Sequence, residues 1–421
     1  MSELQAWLER LERLHPTEIE LGLTRVAAVA RELGVEKPAP RVISVAGTNG
    51  KGSCVATLEA LLRAGGQRTG AYSSPHLLRF NERVRIDGRE ATDAELVEAF
   101  EQVEAARDGT SLTYFEFTTL AALWLFQRAG IDYALLEVGL GGRLDAVNLV
   151  DADLAIITSV AVDHEAWLGS DREVIGREKA GILRPGAPFV CADPEPPLSV
   201  VSAAGSMGAD GYFLGSEYHL DDGRFRFGGR EIRLPADTAL PRPSIAAALA
   251  ALLVLDAMPA VADGEITGIL AGLQLPGRCQ QLAWRGRELL LDVGHNPAAA
   301  AYLARWLADH PVPGRTRALV AAMADKDLAG LFAPLAQVVD MWFPSLLPGN
   351  ERAAGCEALL AGLEAAGVPA TRVDSGCAAV VATLDRLVGE TGDGDRLLVF
   401  GSFFTVAEVL QHVRDDIDGE S

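Results

Sequence analysis

The strongest local chemistry in the chain lies in VISVAGTNGKGS, residues 42–53. A buried-strand pattern runs into Gly47-Thr48-Asn49-Gly50-Lys51-Gly52-Ser53, and a helical pattern follows. Glycines let backbone N–H groups converge on one concavity. The helix N-terminus adds partial positive charge, and the lysine can reach outer phosphates, so this order of residues suits a nucleotide. The strict pattern GxxxxGKS/T is not met: Val45 stands in place of its first glycine, and Gly52 in place of its hydroxyl residue. A glycine-rich connecting turn is the plain alternative. Lys51 at the helix start and the buried strand before it favour the phosphate loop.

Four more residues have types and places that suit chemistry. Glu137 follows the apolar run YALL, at a strand's C-terminal end, where open α/β sheets hold ligands. His164 lies just beyond another such strand, in VAVDHEAW. Ser74 stands before a proline in YSSPH, and Lys179 on the helical pattern GREKAGI. Taken singly they read as a surface carboxylate, a core histidine, a capping serine and a solvated lysine. Beside a phosphate loop they read as parts of one site.

The elements that must position these residues alternate. VISVA (42–46), YALLEV (133–138), LAIITSV (154–160) and PFVCA (188–192) read as buried strands, with helical patterns at 50–64, 93–106, 116–129 and 171–182. That alternation implies a parallel sheet covered on both faces. Residues 211–235 read instead as short antiparallel strands, followed by a helix near 244–256. The alternation restarts with strand candidates at 287–293, 317–322, 338–344, 370–374 and 396–401, and helical patterns at 298–309, 351–366 and 376–389. The expected fold is α/β. A large N-terminal P-loop ATPase-like domain, 1–283, has a parallel central sheet and a small antiparallel region. A smaller Rossmann-like α/β domain, 284–421, follows.

Bulk properties narrow the function. Of 421 residues, 49% are hydrophobic and 23% charged, the balance of a globular protein. A net charge of -21 disfavours nucleic acid or an anionic membrane as partner. The five cysteines are widely spaced without a CxxC pair, which predicts reduced, small buried thiols and no zinc site. The N-terminal MSELQAWLERLERLH has no apolar core of a signal peptide, and no run is long enough to span a bilayer. A cytoplasmic protein is expected.

GTNGKGS looks like the shortened phosphate loop of the Mur ligase superfamily. Within it the chain resembles the bifunctional dihydrofolate synthase/folylpolyglutamate synthase family. The supporting segments are LGLTRV (21–26), YSSPHLLRFNERVRI (72–86), SLTYFEFTTLAALWLF (111–126), LLEVGLGGRLDAVNLV (135–150), SVAVDHEAWLG (159–169), REKAGI (177–182), LPGR (275–278), DVGHNP (292–297) and GSFFTV (401–406). They stand in the family's order along nearly the whole chain. The resemblance implies an ATP-dependent ligase. It would add L-glutamate to dihydropteroate, and further glutamates to reduced folates, through an acyl phosphate, releasing ADP and phosphate.

The resemblance also implies roles. Thr48, Asn49, Gly50, Lys51, Gly52 and Ser53 would hold ATP, with Arg278, Asp292 and His295 contributing across the domain join. Two Mg²⁺ ions would be held by Ser74, Glu137 and His164, and Lys179 would be carbamylated. Lys51, Glu137, His164 and Lys179 would be the catalytic group. Ile19, Glu20, Leu21, Thr113, Tyr114, Phe115, Leu144, Asp145 and Ala146 would line the dihydropteroate site, since a pterin needs an aromatic face and a few hydrogen-bonding groups. Asp325, Lys326, Asp327 and Ser402, at strand ends of the second domain, are candidates for the glutamate pocket. The chain departs from the family at Ser244, where an Asn is usual, and at Gly294, where Ala is common. A monomer is expected, closing its two domains around ATP. A cell-wall Mur ligase is a competing reading, disfavoured because the phosphate loop begins at Gly47 and leaves no room for that enzyme's additional N-terminal domain. A nucleotide-dependent regulatory protein without ligation is another, disfavoured by Lys51, Glu137, His164 and Lys179 together.

Overall fold

The structure, a computed structural model, describes residues 2–17 and 19–419. Contacts divide it into two units, Met1–Leu273 and Gln274–Ser421. In the first, eight strands form one sheet: β1 (Arg41–Ala46), β2 (Thr69–Tyr72), β3 (Val84–Ile86), β4 (Arg89–Glu90), β5 (Tyr133–Glu137), β6 (Leu154–Ile157), β7 (Pro188–Cys191) and β8 (Asp210–Phe213). Their order is β4-β3-β2-β5-β1-β6-β7-β8. The six strands from β2 to β8 are parallel, and β3 and β4 turn back as an antiparallel edge. In β1 every residue after Arg41 is buried, which is why it reads as a continuous apolar run.

Helix Lys51–Ala64 follows β1, and helix Arg242–Val254 packs against it. All nine residues from Ser244 to Leu252 are buried, and five of them are alanine. Small side chains let the two helices approach closely, which carries Ser244 to the phosphate loop. The helix with Lys179, Arg172–Ala180, is tied to the end of β6 through Asp193. The Asp193 carboxylate is buried, accepts from Val160 N–H at 2.7 Å and from Arg172 at 2.9 Å, and Arg172 Nε donates to the Val160 carbonyl at 2.6 Å.

The 211–235 region differs from expectation at its start. Asp210–Phe213 joins the large sheet beside β7 in parallel. Only β9 (His219–Asp221), β10 (Arg224–Phe227) and β11 (Arg230–Arg233) form the antiparallel meander. The second unit holds β12 (Gln280–Trp284), β13 (Arg287–Asp292), β14 (Thr316–Val320), β15 (Met341–Pro344) and β16 (Arg396–Phe400), in the order β12-β13-β16-β14-β15. β12 pairs antiparallel with β13, so the division falls ahead of residue 283. Residues 370–374 are not a strand: a 3-10 turn covers Ala370–Arg372, and only Val373 bridges to Trp342. Proline at 369 and an adjoining edge one bridge long explain the loss. The thiols also correct the expectation. Cys54, Cys191 and Cys279 are buried and free, but Cys356 and Cys377 form a disulfide.

Asp193→Ala should remove two charge-assisted partners at once and strand Arg172. It is expected to lower unfolding free energy by about 1–3 kcal/mol, read as a lower urea midpoint at unchanged slope. An unchanged midpoint would mean that the strand end and the helix are held by something else.

Candidate active site

The loop after β1 takes a shape that only glycine allows at two positions. Gly47 has φ 152°, and a Cβ there would lie 1.9 Å from Thr158 Oγ1. Gly50 has φ 86°, and a Cβ there would lie 2.3 Å from Ser244 Oγ. The loop is laced to the segment after β6. Thr48 N–H donates to the Ser159 carbonyl at 2.8 Å, Asn49 N–H to Ser159 Oγ at 3.0 Å, and Thr158 Oγ1 to the Asn49 carbonyl at 2.8 Å. Lys51 Nζ curls back to the carbonyls of Gly47 and Thr48, at 3.1 and 3.3 Å. Ser53 is buried one turn into the helix. Gly52 has a local reason: its missing side chain leaves room beside Glu137, whose Oε2 lies 3.5 Å from where a Cβ would sit.

Lys51 shares a small pocket with Thr48, Asp163, His164 and Lys179, closed on one side by Gly139–Gly141. Lys179 is buried, and burial, then the charge of Lys51, pushes its amine down to about 7 against the pull of Asp163 and Asp145. The glycine-rich loop lies directly on this helix, since a Cβ on Gly142 would be 3.1 Å from Lys179 Cα. Asp145 folds that loop. Its buried carboxylate accepts from Leu140, Val147 and Gly139 N–H at 2.8, 3.0 and 3.1 Å, yet burial still raises its pKa to about 6.

Glu137 is buried at the end of β5. β2 runs beside β5 with Tyr72 opposite Leu136, so Ser73 and Ser74 emerge next to Glu137. His164 is exposed in a left-handed turn, with its N–H held by the buried Asp163 at 2.8 Å. Asp163 thus joins the pocket although the sequence singled out only its neighbour. Among the described residues, no group of three or more His, Cys, Asp or Glu side chains is gathered closely enough to hold a metal. Hard oxygens from Ser74 and Glu137, with the space at Gly52, fit a partly hydrated dication that keeps waters as ligands.

The residues expected around a pterin come together in part. Thr113 is buried and caps helix Tyr114–Ala129 through a capping box with Glu116. Arg25 pairs with both Glu20 and Glu116, which draws 19–21 to that helix start. Leu21 is exposed, and Ile19, Tyr114, Phe115 and Leu144 are half-buried. The Phe115 ring rests on the glycine-rich loop, 2.7 Å from a Cβ built on Gly139, and 5.8 Å from the Tyr72 ring. Ala146 is buried in the turn that Asp145 caps. Burial and then the nearby Arg83 push His76 down to about 4.

In the second unit, the Asp292 carboxylate is buried and accepts from Gly294 N–H at 2.7 Å and Cys279 N–H at 2.9 Å. Gly294 permits this, because a Cβ there would lie 2.7 Å from Asp292 Oδ1. The Arg278 guanidinium is 5.0 Å from the Phe403 ring, and the His295 ring is 6.0 Å from it. Ser402 accepts from Thr405 N–H at 3.0 Å at the start of helix Phe403–Gly419, and Asp327 caps helix Leu328–Phe332. Lys326 lies 3.8 Å from Asp325. Both capping roles account for residues that strand-end position alone had marked as candidate ligands.

A family model described as Mur ligase, glutamate ligase domain, matches residues 277–403. The chain is 45% identical, over 97% of its length and 95% of the other, to the dihydrofolate synthase/folylpolyglutamate synthase of Escherichia coli. It superposes on E. coli FolC in complex with DHPP and ADP with a TM-score of 0.90 at 43% identity, covering 99% and 98% of the two chains. The bifunctional folylpolyglutamate synthase/dihydrofolate synthase of Yersinia pestis, complexed with AMPPNP and Mn ion, gives a TM-score of 0.89 at 44% identity over 98% of each chain. With that identity sustained from end to end, the chain belongs to the dihydrofolate synthase/folylpolyglutamate synthase family.

Proposed function

We propose that the protein is an ATP-dependent ligase that joins L-glutamate to dihydropteroate, giving dihydrofolate, and then adds further glutamates to reduced folates. The single observation that carries this is the pocket in which Lys51 of the phosphate loop meets Lys179, buried and with its amine pushed down to about 7. It works in the cytoplasm, as a monomer, on small molecules, without nucleic acid or membrane; among the described residues no helix is long and apolar enough to cross a bilayer.

The chemistry follows from the chain's own residues. Thr48 to Ser53 present backbone N–H groups and Lys51 to the phosphates of ATP, with Ser244 beside the loop, and Arg278, Asp292 and His295 are further contacts for the nucleotide. An oxygen of the acceptor's carboxylate attacks the γ-phosphorus, and ADP leaves. The glutamate amine then attacks the acyl carbon and loses a proton, and phosphate departs with that carboxylate oxygen. Two Mg²⁺ ions held by Ser74, Glu137 and His164 would offset the repulsion between the two anions. Lys179 as a neutral amine adds CO₂, forming an N–C bond and releasing a proton. The resulting carbamate turns a cation into an anion beside those ligands. Thr113 to Phe115, Leu144 to Ala146 and Ile19 to Leu21 line the pterin's place, and Asp325 to Asp327 with Ser402 lie toward glutamate.

Purified protein with ATP, Mg²⁺, glutamate and either dihydropteroate or a reduced folate should yield products heavier by one or more glutamates, with one ADP and one phosphate per bond. Acceptor labelled with ¹⁸O in its carboxylate should pass one label to phosphate. ADP formation without amide would sink the ligase. Unlabelled phosphate would sink the acyl phosphate alone.

Lys179→Ala and Lys179→Arg should each lose about 10–100-fold or more of turnover, with short carboxylic acids partly rescuing the alanine variant. Near-wild-type activity of the arginine variant would exclude a carbamate. The amine is protonated below about pH 7 and free to add CO₂ above it, so wild-type ligation should rise through that pH and fall in CO₂-depleted buffer.

Stability should also rise with pH. The folded pKa of about 7 lies below the ordinary 10.5, so burial costs nothing above that ordinary value. The cost grows as pH falls toward 7 and is full below it. In CO₂-free buffer at neutral pH, Lys179→Met should therefore raise the urea midpoint while abolishing ligation. A lowered midpoint would contradict the cost assigned to the buried amine.

A further inference from the structure

Arg83 ends the 3-10 turn Phe80–Arg83, just before β3. Its carbonyl accepts from Ser73 N–H at 2.9 Å, so its backbone stands one strand beyond the end of β2. The guanidinium is half-buried. Its Nε donates to His76 Nδ1 at 2.8 Å, and its carbon lies 5.6 Å from the centres of both the Phe80 and the Tyr114 rings.

None of these neighbours is an anion. Among the described residues no carboxylate pairs with Arg83. Glu82, next in the chain, is spent on backbone: its two oxygens accept from Leu77, Leu78 and Arg79 N–H at 2.6–2.8 Å. Six other half-buried arginines of this unit behave differently: Arg25, Arg85, Arg107, Arg172, Arg184 and Arg230 each face a carboxylate, while Arg242 donates to the Ala236 carbonyl. In a chain with 58 acidic and 37 basic residues, partners are in excess. A half-buried guanidinium surrounded by neutral groups keeps its charge available for an incoming anion, and its planar fork matches a carboxylate.

Place in the sheet decides which anion. The phosphate loop leaves β1, and β3 is three strands away across β2 and β5, about 14 Å at ordinary strand spacing. That sets the Arg83 backbone apart from the phosphate loop itself, so its role is separate from that of Lys51 in holding ATP. Arg83 instead shares its aromatic neighbour Tyr114 with the region assigned to the pterin, and its backbone partner Ser73 emerges beside Glu137. We infer that Arg83 binds a carboxylate of the acceptor acid, holding that substrate between the Tyr114 aromatic face and the strand ends where it is activated. This inference rests on the ligase function proposed above.

The test compares Arg83→Gln and Arg83→Lys with the wild type by calorimetric titration of the acceptor acid, and of its uncharged carboxamide, in the presence of Mg²⁺ and ADP. Turnover is followed in parallel. Loss of a charge-assisted fork should weaken acceptor binding by about ten- to a hundredfold in the glutamine variant and by less in the lysine variant. The carboxamide should bind all three proteins alike, and KM for ATP and for glutamate should stay within about threefold. The inference is overturned if acceptor affinity is unchanged, if the carboxamide loses the same factor (Arg83 then only packs the rings), or if the loss appears in ATP or glutamate. Unfolding midpoints identify a misfolded glutamine variant, in which case the lysine variant carries the comparison. A wild type that binds the acceptor but forms no amide would defeat the ligase function and leave the binding comparison intact.

Discussion

Two lysines, Lys51 and Lys179, line one small pocket, and one of them is buried. Burial and like charge disfavour the protonated amine of Lys179 and lower its pKa, a cost the fold bears at and below neutral pH. Much of the surrounding structure serves that arrangement. The β6 end and Asp193 fix the helix that carries Lys179, the loop Gly139–Gly142 packs against that helix, and Asp163 supplies a buried negative group. In a chain of net charge -21, Lys51 is thus kept as a cation at the loop where phosphates would bind.

Many polar residues near the site are spent internally. Thr113, Asp145, Ser402 and Asp327 all accept backbone N–H groups at the starts of helices or turns. Their work is to orient the elements that face the ligand. In the proposed function a ligand would instead meet backbone N–H at the phosphate loop, the faces of Tyr114 and Phe115, and charged groups such as Lys51 and Arg83. Glycines set the clearances: Gly50 admits Ser244, Gly139 admits Phe115, and Gly52 leaves space beside Glu137. Ser244, shorter than the amide usual in the family, fits against the loop because the alanine-rich helix behind it lies close.

The long buried strands and their helices were legible because parallel strands buried on both faces read as unbroken apolar runs. Weak signals failed where the element was short or its partners distant. β2 is only TGAY, and β3 only VRI. Residues 210–213 resemble the meander that follows them but pair with β7, and residues 370–374 look strand-like but find a single bridge. The disulfide between Cys356 and Cys377 joins residues 21 apart and carries no local pattern.

The order of motifs along the chain, from GTNGKGS through REKAGI to DVGHNP, was enough to determine the family and the glycine-rich turn after β1, because each motif is a local solution to a local geometric demand. Which groups meet was decided only by tertiary structure. Asp163 is buried in the pocket while His164 lines it from an exposed turn. Asp145 turns inward to its loop, and Arg25 joins Glu20 to Glu116 across 91 residues of chain. Arg83 is left without a carboxylate although Glu82 adjoins it. Partner choice and desolvation depend on what the fold brings within a few ångströms, and that distance is not written in residue spacing.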